Sequence, residues 1–118
     1  MLDPKKLSRE QARVLQSATQ RGEQVALSDA TFVEIAMLVT EGKLNLKIGL
    51  LEFLESIEDD PAFLILPVTA EIAAEAGALH MLRDPSDRVI AATARVHGLR
   101  LVTSDQRIIE SNLVSTIE

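Results

Sequence analysis

The sequence predicts an α/β fold, a parallel sheet layered between helices, and three observations support it. Short apolar runs alternate with stretches of helical length along the chain, which is the order of βαβ units. The runs, such as Val25-Ala26-Leu27 and residues 63–68, are continuous in apolar character rather than alternating, as in strands covered on both faces. Gly22, Gly42, Pro61 and Gly98 punctuate the runs where turns are needed. No Gly/Ser linker, repeat or low-complexity stretch divides the 118 residues, so residues 1–118 are read as a single domain.

Each element has its own warrant. Ser8 and Gln11 have capping-box spacing and open a helix carrying Ala12, Leu15 and Ala18 on one face, closed by Gly22. Val25-Ala26-Leu27 is too short for a helix and reads as a buried strand. Ser28 or Asp29 then caps an apolar helix that runs to Val39 and closes at Gly42. Residues 48–57 form a further helix, stopped by Asp59-Asp60-Pro61. Residues 63–68 are the clearest strand, with Pro67 near the end where a proline is tolerated. Thr69 caps a helix to about Leu82, and Asp84-Pro85-Ser86-Asp87 opens another that reaches His97 and ends at Gly98. Residues 99–103 are a strand, residues 106–110 a short helix, and residues 113–117 a last strand.

Composition excludes several classes of function. There is no Cys, so disulfides, thiolate metal sites and a cysteine nucleophile are ruled out, and two His make a zinc site a poor fit. Three Phe with no Tyr or Trp cannot build an aromatic platform for single-stranded nucleic acid. The net charge of −6 argues against a simple nucleic-acid coat, but the charge is uneven. Residues 1–60 hold seven Lys/Arg against eleven Asp/Glu, whereas from residue 83 onward five Arg face five acids and no Lys occurs after Lys47. Arginine binds phosphate bidentately, although solvated helix surface accounts equally for any one of these side chains. No stretch has the roughly 18 apolar residues of a membrane span, and the first residues lack the apolar core of a secretory signal, so a cytoplasmic protein is expected.

Ligands of such sheets sit beyond the carboxyl ends of the strands, where three acids fall. Glu34 is the one charged residue within the apolar run 32–39 and needs a partner or a metal if part-buried; the alternative is a place on the helix's solvent face. Asp87 lies in the first turn of its helix, where N-terminal capping alone accounts for an acid. Asp105 directly follows the strand Leu101-Val102-Thr103-Ser104, and N-capping of the next helix is its alternative. Thr103 and Ser104 are turn residues or donors to a carboxylate. Two unit charges about 4 Å apart repel by roughly 4 kcal/mol at an effective dielectric near 20, so gathered carboxylates require a cation. An all-oxygen ligand set suits Mg²⁺ or Mn²⁺. A phosphoacceptor receiver-like domain also fits the size, but it wants a lysine after a late strand and this chain has none.

Three blocks resemble the PIN-domain family, and within it the VapC-type toxins of type II toxin–antitoxin systems. Val25-Ala26-Leu27-Ser28 with Phe32-Val33-Glu34-Ile35-Ala36 is similar to the family's second strand and acid-bearing helix. Asp84-Pro85-Ser86-Asp87-Arg88-Val89-Ile90-Ala91-Ala92-Thr93-Ala94 resembles its D-P-x-D-R-x-I-A-A-T-A stretch, and Leu99-Arg100-Leu101-Val102-Thr103-Ser104-Asp105 its L-x-L-V-T-x-D strand. The resemblance implies an endoribonuclease in which Glu34, Asp87 and Asp105 hold Mg²⁺ or Mn²⁺ and activate water against an RNA phosphodiester. It implies Asp84 as a cap outside the acidic set, with Arg88 holding the site or the RNA backbone and Ser28, Thr103 and Ser104 beside the acids. It further implies a homodimer inhibited by a small antitoxin lying in the RNA groove. The family opens with a central apolar strand ending in an acid, whereas Met1-Leu2-Asp3-Pro4 resembles the segment after it. The expectation is therefore a PIN-like fold lacking its first strand, through a gene start set too late or a decayed copy. A decayed copy would be a catalytically inactive interaction module, the alternative to a ribonuclease.

Overall fold

The computed structural model describes residues 1, 17, 20–103 and 106–117. Within them lie strands β1 (Val25–Ser28), β2 (Phe63–Leu66), β3 (Leu101–Val102) and β4 (Thr116–Ile117), and helices α1 (Ala30–Thr40), α2 (Leu50–Glu58), α3 (Ala70–Ala78), α4 (Pro85–His97) and α5 (Gln106–Ser111). The expected opening helix falls outside the described residues, apart from Ser17 and Gln20, which are helical, and its closing turn at Gly22 with φ 74°.

The strands pair in parallel, as continuous apolar runs require. β1 lies on β2 with Val25 opposite Phe63 and Ser28 opposite Leu66, and β3 lies on β4 with Leu101 opposite Thr116. Among the described residues these are two separate two-stranded sheets. The outer edge of β3 is partly met by the start of the chain. The Met1 amino nitrogen donates to the Arg100 carbonyl at 2.7 Å, and Val102 N–H donates to the Met1 carbonyl at 2.7 Å. Met1 thus sits as a strand neighbour of Leu101, on the edge opposite β4.

The core gathers on α4, whose Ile90, Ala91, Ala92, Thr93 and Ala94 are all buried. A helix buried over consecutive positions has neighbours on several sides, and α4 packs against α3, α1 and β1. Its alanines allow close approach, and Ile72 of α3, Leu101 of β3 and Ile108 of α5 fill the space around them. Burying one such isoleucine fully is worth roughly 2–3 kcal/mol.

Several boundaries differ from the sequence-based expectation for local reasons. β2 ends at Leu66 because Pro67 has no N–H to extend the ladder. The helix capped by Thr69, whose hydroxyl accepts from Ile72 N–H at 3.2 Å, ends at Ala78 instead of near Leu82. Residues 79–83 are a loop held down by the buried Leu79 and Leu82. α4 runs as expected from Pro85 to His97 and closes on Gly98 at φ 64°, a left-handed conformation that favours glycine.

Candidate active site

Two helices bring candidate acids towards one region. β1 ends at the fully buried Ser28, whose hydroxyl accepts from Ala30 N–H at 3.2 Å and turns the chain into α1. Asp29 anchors the turn, its N–H donating to the Leu66 carbonyl at 3.0 Å and its carboxylate accepting from Val68 N–H at 3.4 Å. Ser28 thus supplies a side-chain bond to the first turn of this helix, as expected of its cap, and Asp29 makes no side-chain cap bond. Glu34 follows one turn later and is half-buried. The apolar character of α1 all round does not translate into burial all round, since Val33 and Met37 remain 58% and 57% exposed.

At the start of α4 the capping and the buried acid are different residues. Asp84 is the cap, its Oδ1 accepting from Ser86 N–H at 2.9 Å, with Pro85 in the first helical position. Asp87, one turn in, is only 2% exposed, and it stands where the aligned peptide dipoles favour a negative charge. A cap bond therefore accounts for Asp84, and Asp87 is held within the protein by other contacts. Thr103, just beyond β3, is also fully buried and donates its N–H to the Ile117 carbonyl at 3.2 Å. Ser104 and Asp105 lie outside the described residues.

Two neighbouring cavities meet at Asp84. One of about 560 Å³ is lined by Glu34, Glu41, Lys43, Asp84 and Ser86. The other, about 320 Å³, is lined by Arg83, Asp84, Asp87, Arg107 and Glu110. Glu34 and Asp87 thus open onto adjacent cavities that share the α4 cap. Among the described residues no group of three or more metal-ligating side chains is assembled. The donors in place are carboxylate oxygens, one half-buried and one buried, a set that fits a hard divalent cation such as Mg²⁺ or Mn²⁺ rather than a thiophilic metal.

Arg88 makes its contacts with backbone beside the site. Its Nε donates to the Leu82 carbonyl, and its Nη2 donates to the His80 carbonyl at 3.2 Å. The guanidinium is spent on the loop before α4, which it pins to the helix, so its effect on the site is to fix this loop. Two features of the region escape a linear reading. Thr31 is 1% exposed with no hydrogen-bond partner for its Oγ1 among the described residues, one turn before Glu34. Arg83 and Arg107 line the cavity beside Asp87. The available signals were a hydroxyl inside an apolar helix and an arginine adjoining the D-P-x-D block.

The PIN domain family matches residues 1–111 of the chain. Ribonuclease VapC22 of Mycobacterium tuberculosis (strain ATCC 25618 / H37Rv) is 32% identical over 108 residues, covering 90% of this chain and 78% of that protein. The crystal structure of FitAcB from Neisseria gonorrhoeae is similar in fold, with a TM-score of 0.68 at 24% identity over 98% of this chain and 88% of that one. The acid-bearing helices, the parallel strand pairs and these matches agree, and the chain belongs to the PIN-domain family, among its VapC-type members.

Proposed function

We propose that the chain is a metal-dependent endoribonuclease, the toxin of a toxin–antitoxin pair, which hydrolyses RNA phosphodiester bonds. The observation that carries this reading is Asp87, an acid buried in the first turn of α4 beside a cavity adjacent to that of Glu34, in a chain similar to a ribonuclease. Glu34, Asp87 and Asp105 are the residues that would hold Mg²⁺ or Mn²⁺. The bound ion would lower the pKa of a coordinated water and stabilise charge on the phosphoryl oxygens. The protein's part is placement. The Asp84 cap fixes the first turn of α4 so that Asp87 is presented in one geometry, and the turn at Ser28 and Asp29 does the same for Glu34. In this reading the hydroxyls of Ser28, Thr103 and Ser104 would support the carboxylates or contact the RNA, and Ser28 and Thr103 are both fully buried. The partners in this reading are RNA, a small antitoxin protein and a second copy of the chain. Its place is the cytoplasm, and among the described residues no helix is long and apolar enough to cross a membrane.

The test is cleavage of a fluorogenic RNA by the purified chain with Mg²⁺ or Mn²⁺. The expected outcome is activity that disappears with chelator and in Asp87→Asn. Cleavage at an undiminished rate by Asp87→Asn, purified free of contaminating nuclease, overturns the assignment.

A further inference from the structure

The five arginines beyond residue 82 are not equivalent once their contacts are compared. Arg88 is spent on the loop carbonyls of His80 and Leu82. Arg95 donates Nε to Glu75 at 2.7 Å and Nη1 to the Leu113 carbonyl. Arg100 donates to the Thr116 carbonyl at 3.4 Å, and Arg107 is engaged within the protein as well. Arg83 is exposed and, among the described residues, is the one of the five whose guanidinium holds no such contact.

Its backbone is nevertheless firmly rooted. Leu82 before it is buried and donates its N–H to the Leu79 carbonyl at 3.0 Å, while its own carbonyl takes the Arg88 bond. Asp84 after it is fixed by the cap on Ser86. An exposed cationic head on a well-anchored backbone lines the same cavity as the buried Asp87. An RNA backbone approaching a protein of net charge −6 needs a local cation near the acids, and a guanidinium fork matches two phosphate oxygens.

We propose that Arg83 is the phosphate-binding residue of this site, gripping an RNA backbone phosphate next to the bond presented to the acids. The inference rests on the ribonuclease reading and deepens it by naming the side chain that seats the substrate. Arg88 then serves as a positioning residue, acting through the loop that carries Arg83.

Two measurements test it on the full chain. The first is steady-state cleavage of a short fluorogenic RNA with Mn²⁺ by the wild-type chain, Arg83→Ala and Arg83→Lys. The alanine variant is expected to raise KM about tenfold, the loss of one charged hydrogen-bonding contact, with kcat nearly unchanged. Lysine, which keeps the charge without the fork, is expected to recover part of that loss. The second is binding of the same RNA in metal-free buffer across a salt series, where Arg83→Ala is expected to reduce the salt slope by about one phosphate contact. An unchanged KM and salt slope overturn the proposal, as does a fall in kcat at constant KM. A wild-type chain that binds RNA through Arg83 without cleaving it overturns the ribonuclease reading alone. A chain that neither binds nor cleaves RNA overturns both.

Discussion

Thr31 illustrates what a single residue contributes that its neighbours in sequence do not announce. Its hydroxyl is buried at the first turn of α1 without a partner among the described residues. An unsatisfied buried hydroxyl costs about 1–3 kcal/mol, whereas a shape-matched apolar replacement removes the cost. Thr31→Val is therefore expected to stabilise the protein by about 1 kcal/mol, read as a higher urea midpoint at unchanged m-value. A lower midpoint would show that the hydroxyl is used, for example by a buried water. Glu34 was legible as a site candidate because one charge in an apolar run stands out, and Asp87 because the D-P-x-D block resembles a family pattern. Thr31 was not legible, because its burial arises from packing between elements and leaves no trace in local spacing. The same holds for Arg88, whose residue type suits RNA equally well but whose guanidinium reaches back to His80 and Leu82.

Elements were legible where a cap or breaker set their ends and illegible where packing did. α4 was readable at both ends, from Asp84 and Pro85 to Gly98, because those residues fix backbone geometry locally. α3 was read too long because Leu79 and Leu82 continue a helical spacing, yet these side chains reach the core from a loop. Two glycine substitutions separate the local terms. Gly98→Ala meets no atom within 4 Å, so its cost is the left-handed backbone at φ 64°, about 1 kcal/mol destabilising. Gly77→Ala, inside α3 and equally open, is expected to stabilise by roughly 0.5–1 kcal/mol through helix propensity. Opposite shifts in thermal midpoint check the pair. Shifts of the same sign would mean that α3 is not a regular helix at Gly77 or that Gly98 does not need its conformation.

For the whole molecule, sequence order gave α/β and parallel pairing, since continuous apolar strands separated by helices admit little else. It could not give the association of the described strands into two pairs, which is a matter of long-range pairing. That geometry matters to the proposed site, because its acids come from segments far apart in the chain: α1, the first turn of α4, and the residues after β3. A cation bridging such segments is bound by the folded state and not by the unfolded one, so its binding free energy adds to global stability. At one hundred times its dissociation constant the gain is about 2.7 kcal/mol, enough to raise the thermal midpoint by several degrees in a domain of this size. The wild-type chain is expected to show this rise with Mn²⁺, and Asp105→Asn, which keeps the side-chain shape but removes its charge, to lose most of it. Arg83→Ala should retain the rise, because it removes a phosphate contact and leaves the carboxylates intact. Heat and urea unfolding should report the same gain, since a bridging ion resists the cooperative loss of the entire fold. An unchanged midpoint with Mn²⁺ would mean that these acids do not hold a metal in the folded chain. A rise that persists in Asp105→Asn would place the ion on the carboxylates of α1 and α4 alone.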